Sequence, residues 1–187
     1  ASRCEINAKL ISAGGSTDIE KALDEAIAEN DSIGGIIECV VKDPPVAIGE
    51  PFFYSLESAL SHLVFSIPAI RGIEFGTGFA AAAMKGSEHN DPFINAKGKT
   101  STNNAGGING GISNGNDIVF RVAVKPTSST GVGQNTFNFS SGRMDALKVT
   151  GRHDTCIALR MPVIVEAVTA IAMADLILID RGIYGNR

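Results

Sequence analysis

NDIVFRVAVK, Asn116 to Lys125, is the stretch on which the fold turns. Ile118, Phe120, Val122 and Val124 recur with period two and share one face, the pattern of a half-buried strand. Its flanks are just as informative. NNAGGINGGISNG, Asn103 to Gly115, leads into it with five glycines and four asparagines and no lysine or arginine. KPTSS, Lys125 to Ser129, receives its end. A run as loose as the first either shapes a bend or lets a ligand lie against bare backbone, where no side chain stands in the way.

Outward from this strand, the chain reads as interleaved helices and strands. Thr17 and Glu20 have the spacing of a capping box, and Ile19, Ala22, Leu23, Ala26 and Ile27 follow at helical intervals, predicting a helix that ends near Asn30. Gly34 and Gly35 lead into IIECVVK, a β-branched run suited to a strand and ended by Pro44 and Pro45. Pro51 suits the first turn of a second helix, with Phe52, Leu56, Ala59, Leu60, Leu63 and Ile67 on one face and Pro68 closing it. AIRGIEF reads as a strand and FAAAAMK as a short helix. From Gly86 to Asn104 the chain is polar, a long loop of the kind that is usually functional or disordered. Gln134 to Thr150 reads as a hairpin turning at Ser141-Gly142. Pro162 to Asp180 is apolar nearly all round and is expected to be a central helix.

Composition sets outer limits. The 187 residues are 44% hydrophobic and 19% charged, enough for one domain with a sizeable core. A net charge of −4 argues against a broad nucleic-acid surface. Cys4, Cys39 and Cys156 form no CxxC pair, so neither a disulfide framework nor a metal site is expected, and they suit a reducing cytoplasm. Pro162, Glu166, Thr169 and Asp175 interrupt the most apolar stretch, which favours a buried helix over a membrane span.

Four segments carry candidate chemistry. In the glycine run, Ile112 stands where a phosphate-binding loop needs lysine, which excludes a nucleoside-triphosphatase reading. The same run contains G-I-S-N-G, with Asp145 and His153 following in the chain order of a serine hydrolase built on Ser113. That pattern needs a strand entering and a helix leaving, and here a loop enters and a strand leaves. KPTSS combines an ammonium, a turn-setting proline and three hydroxyls, a set suited to a phosphate dianion or to a solvated turn. GRHD, Gly151 to Asp154, places a guanidinium, an imidazole and a carboxylate side by side before the apolar helix.

The order of these segments resembles the chorismate synthases. DSIGG at Asp31 comes first, then PVAIGEPFFYSLESALSHLVFSIPAIRGIEFGTGF, GSEHND, NNAGGINGGISNG, KPTSS and GRHD. Cys156, Arg160, Pro162 and EAVTAIAMAD complete the series. The resemblance covers about 31–180, in a chain expected to be one partial domain, the C-terminal portion of the enzyme. It implies an α+β fold with helices sandwiched between mostly antiparallel sheets, assembled as a homotetramer.

The activity so implied is loss of phosphate from 5-enolpyruvylshikimate 3-phosphate by anti 1,4-elimination, with reduced FMN as cofactor and NADPH as a reductant for the flavin. By position, Pro68, Ala69, Gly110, Lys125, Pro126, Thr127, Ser128, Ser129 and Arg152 fall on flavin-binding sites. Asp154, with Arg152, falls on the catalytic ones. Asparagine is common where Pro68 stands, and proline where Thr155 stands. The family's two proton-transfer histidines match none of His62, His89 and His153, so the chain alone is expected to be inactive. A fragment that binds flavin and self-associates without chemistry is the alternative.

Overall fold

The computed structural model of the chain describes residues 4–185. The sheet starts with a strand not anticipated above, β1 (Glu5–Ala13). Ile6, Ala8 and Leu10 alternate there with Glu5, Asn7 and Lys9, a period-two signal legible in the sequence. α1 (Ile19–Ala28) follows, then β2 (Gly35–Lys42), α2 (Leu56–Phe65) and β3 (Ile70–Phe75). A 3-10 helix at Gly78–Ala83 and the single turn α3 (Gly86–His89) lead to the glycine run. That run holds two short strands, β4 (Ile108–Asn109) and β5 (Ile112–Ser113). Next come β6 (Ile118–Val124), the hairpin β7 (Gln134–Asn138) and β8 (Arg143–Leu147), a 3-10 helix at Ile157–Arg160, and α4 (Met161–Tyr184).

The main sheet is antiparallel with order β1-β2-β6-β3. β6 is therefore interior, paired with β2 from Gly35↔Val124 to Val41↔Ile118 and with β3 from Ile70↔Val124 to Phe75↔Phe120. Its alternating face joins the core: Ile118, Phe120 and Val122 are wholly buried, as are Ile37, Cys39 and Val41 of β2. Leu56, Leu60 and Val64, one turn apart along α2, and Val165, Thr169 and Met173 of α4 close over them. Burial pushes the Cys39 thiol up to about 11, against a hydrogen bond with Thr169 and with the Glu166 charge adding to the rise. This thiol is structural rather than reactive.

Three expectations need correction. Asp18, not Thr17, caps α1: its carboxylate accepts from the Lys21 N–H (3.2 Å), while Ser16 Oγ accepts from Asp18 N–H (3.0 Å). α2 begins five residues after Pro51, because Ser55 supplies the cap by accepting from Ser58 N–H (3.1 Å). Residues 51–54 form a turn outside the helix, closed by Glu50 N–H donating to Tyr54 O (2.8 Å), and Phe52 and Phe53 stand 89% and 88% exposed. α4 is covered on one side only, leaving Val163, Ile171 and Leu178 open. Among the described residues one four-stranded sheet, two two-stranded pairs and the helices are present, and none of them closes over that outer stripe. By length and composition α4 is apolar enough to cross a membrane, with a mean hydropathy of 2.1 over its most apolar window.

Candidate functional site

At the end of β6 the chain turns sharply and four segments converge. Lys125 N–H donates to Ala69 O (2.9 Å), joining the KPTSS loop to the link between α2 and β3. Ala69 follows Pro68 and takes φ = 73°, the left-handed region, to make that turn. Ser32 Oγ donates to Thr127 O (2.6 Å), and Ile33 N–H donates to Thr155 O (2.8 Å). The DSIGG loop is thus a strut between KPTSS and GRHDT. Gly34 permits this fit, since a Cβ there would lie 2.5 Å from Val124 O and 3.2 Å from Pro126 Cδ. Ala69, Lys125, Thr127 and Thr155 are linked by these bonds, and Arg152–Asp154 directly precede Thr155 along the chain.

Two polar atoms of this region are buried without a partner among the described residues, Thr127 Oγ1 and His153 Nε2. An unsatisfied buried hydroxyl next to a lysine suits a phosphate oxygen, since each orphaned group costs about 1–3 kcal/mol. Arg152 is exposed. Asp154 Oδ1 accepts from Arg160 Nη2 at 2.7 Å, both side chains being partly in solvent. Arg160 and Ser32 were not singled out from the sequence as site residues. Arg160 reaches Asp154 only because the 3-10 helix at Ile157–Arg160 folds it back, and no spacing rule announces that.

Gly110 lies elsewhere. Gly110 and Gly111, at φ 59° and 87°, form the two-residue turn between β4 and β5, the conformation tight hairpins prefer. Gly111 O accepts from Leu56 N–H (2.8 Å), docking the turn on the start of α2. β6 runs between this turn and Lys125, a span of roughly 20 Å for seven strand residues. The glycine run is a bend first, yet nothing lies within 4 Å of where a Gly110 Cβ would stand, so its backbone is open to a ligand.

Beside the turn is a cavity of about 730 Å³ whose walls include Val46, Asp91, Phe93, Asn109 and Ser113. Asp91 anchors its far wall by accepting from Thr102 Oγ1 (2.7 Å), Asn104 N–H (2.7 Å) and Ala105 N–H (2.9 Å). Burial acts to raise its carboxyl, but the bonds from Ala105, Thr102 and Asn104, with His89 nearby, hold it below the usual range.

This arrangement can be set beside known proteins. The chorismate synthase family model matches residues 4–178. The chain belongs to the chorismate synthase family. A chorismate synthase of Chitinophaga pinensis is 59% identical over 176 residues, which make up 94% of this chain and 53% of that protein. The chorismate synthase of Archaeoglobus fulgidus is 46% identical over 155 residues, 82% of this chain and 43% of the other. The chain therefore spans about half the length of the curated relatives it matches. A crystal structure of chorismate synthase superposes with TM-score 0.76 over 96% of this chain and 58% of its own, and at 24% identity this likeness speaks for the fold. The α+β class with mostly antiparallel sheets is thus found as expected, and the family match also takes in β1 and α1.

A serine hydrolase on Ser113 does not survive. Ser113 is buried, its hydroxyl donating to Pro45 O and accepting from Ile48 N–H (2.9 Å). Asp145 sits on β8, where its carboxylate contacts Asn138, Ser141 and Arg143, and His153 lies by the strut at the other end of β6. The three are not assembled. Among the described residues no group of three or more His, Cys, Asp or Glu side chains is placed to hold a metal ion.

Proposed function

We propose that this chain is the C-terminal portion of a chorismate synthase, one partial domain carrying the flavin side of its active site. The observation that carries this reading is the linkage of Pro68–Ala69 to Lys125, and of KPTSS and the Thr155 end of GRHDT to the Ser32–Ile33 strut. The whole enzyme, a lyase of the shikimate pathway, would remove phosphate and a ring hydrogen from 5-enolpyruvylshikimate 3-phosphate by anti 1,4-elimination. Reduced FMN, kept reduced by NADPH where it is recycled, supplies transient electron density that helps expel the phosphate.

This chain's residues hold and orient. Lys125 Nζ and the hydroxyls of Thr127, Ser128 and Ser129 grip the flavin phosphate, with charge from the ammonium and direction from the hydroxyls. Pro126 sets that loop's turn. The Pro68–Ala69 backbone, bonded to Lys125, borders the phosphate end of the flavin, and bare Gly110, roughly 20 Å away along β6, leaves its backbone open to the ring. Arg152 offers its guanidinium fork to an anionic group of flavin or substrate. Asp154 would act as the proton acceptor near the flavin's reactive nitrogen, with Arg160 holding one of its carboxylate oxygens. The assembled protein is read as a cytoplasmic homotetramer without nucleic-acid or membrane partners.

Proton-transfer histidines and much of the substrate's cationic cage belong to the family's other half. The expected result is FMN retention by the 187-residue chain with no chorismate formed from 5-enolpyruvylshikimate 3-phosphate in an anaerobic assay. Measurable turnover would show that the chain is a complete catalyst and would refute its assignment as a half-site.

A further inference from the structure

His153 is the one side chain of GRHD that the proposed site does not use, and it is turned inward. Along that segment Arg152 and Asp154 are exposed, while His153 and Thr155 are half-buried. The segment is pinned on its C-terminal side, where Thr155 O accepts from Ile33 N–H (2.8 Å) and Cys156 and Ala158 enter the core. Next to Ile33 in the chain, Ser32 Oγ donates to Thr127 O (2.6 Å). Adjacent residues of one strut therefore hold the Thr127 and Thr155 backbones, and His153 stands two residues from the second of them.

Two side-chain atoms here, His153 Nε2 and Thr127 Oγ1, are buried and have no hydrogen-bond partner among the described residues. They do not bond each other. The carboxylates close by in the chain are engaged: Asp154 accepts from Arg160 (2.7 Å) and Asp31 from Ser32 N–H (2.7 Å). Each orphaned group costs about 1–3 kcal/mol, and an imidazole buried for packing alone would bond its nitrogen within the fold. What this corner lacks is an acceptor. The Lys125 ammonium, the hydroxyls of Thr127, Ser128 and Ser129, and an imidazole with hydrogen on Nε2 can all donate, and a phosphate dianion offers oxygens that only accept.

We propose that His153 is a further phosphate-binding residue, donating Nε2–H beside Thr127 Oγ1–H to oxygens of the flavin phosphate. The neutral imidazole suffices, so His153 moves no proton and adds no charge. Its backbone position, fixed through Thr155, places the donor before any ligand arrives, which lowers the ordering cost of binding. GRHD then acts on two sides: Arg152 and Asp154 face outward to flavin and substrate, and His153 faces inward to the phosphate. This role rests on the flavin-side reading above and extends it by one residue.

Anaerobic titration with reduced FMN and with reduced riboflavin, which lacks the phosphate, tests it on the parent, His153→Ala and His153→Gln. The parent is expected to prefer FMN. His153→Ala is expected to weaken FMN binding about 10- to 100-fold, as for one hydrogen bond to a charged group, and to leave riboflavin binding unchanged. His153→Gln, whose side-chain amide can place an N–H near the position of Nε2, is expected to recover most of the loss. A purely structural histidine would weaken both flavins alike and would not be rescued by glutamine. Circular dichroism checks that each variant folds.

A second measurement needs no substitution in the protein that binds. With histidine labelled by 15N, long-range proton–nitrogen spectra show which nitrogen of His62, His89 and His153 carries hydrogen. FMN is expected to fix hydrogen on Nε2 of one imidazole, assigned by the loss of its signal in His153→Gln, and riboflavin is expected not to. The proposal is overturned if the parent does not prefer FMN, if His153→Ala spares FMN binding or weakens both flavins alike, if glutamine rescues nothing, or if FMN leaves the His153 signal as riboflavin does. FMN binding that depends on Lys125 but not on His153 overturns this role alone; no FMN binding by the parent overturns the functional reading with it.

Discussion

A methyl group added at Gly110 or at Gly111 tests one turn from its two sides. Both glycines hold positive φ, so alanine at either is strained. Only at Gly111 does the new Cβ also meet the fold, 2.8 Å from Ser55 Cβ. Gly111→Ala is expected to destabilise the chain by about 2–4 kcal/mol, the sum of backbone strain and overpacking. Gly110→Ala costs about 1–2 kcal/mol, and it weakens flavin binding if the open backbone there faces the ring. Urea denaturation and FMN titration read the two effects separately. The sequence announced a bend or bare backbone but not the hairpin inside it. Strands of two residues have no period to detect, and only docking on Leu56 N–H fixes the register.

Among the elements, the segment between α3 and β4 behaves as a built wall rather than a loose loop. Asp91 holds residues 102–105 from three donors, and Asn103 ties the same segment to Asp117 O (2.7 Å) and to Gly107 N–H (2.7 Å). Because the Asp91 carboxyl is depressed, its stabilising contribution is fully present above the ordinary value of 3.8 and is lost as pH falls through the folded-state value. Asp91→Asn removes that contribution, so its stability is expected to fall less steeply with acid than the parent's and to be lower near neutrality. Denaturation midpoints at several pH values check this. Equal slopes for both proteins would refute the role given to Asp91. Polar composition alone made this segment read as a loop, because its order comes from side-chain bonds between residues 11 to 14 positions apart. β6 and β2 were legible for the opposite reason: alternation along one strand is local, and burial of one face enforces it.

At the scale of the molecule, the four-stranded sheet and the helices packed on it leave Val163, Ile171 and Leu178 of α4 uncovered among the described residues, in a chain that spans about half the length of its relatives. Motif order disclosed the family and, through the resemblance, nominated the residues proposed above for the flavin side. Tertiary hydrogen bonds gathered all but Gly110 at one end of the sheet, and that gathering had no local signal. The central claim is that this chain by itself presents a flavin half-site on KPTSS and its neighbours. Anaerobic titration of the chain and of Lys125→Ala with reduced FMN tests it most directly. The account predicts saturable binding that the substitution weakens about 10- to 100-fold, as expected for loss of one charge-assisted hydrogen bond. Absence of saturable binding, or binding that Lys125→Ala leaves unchanged, would contradict it.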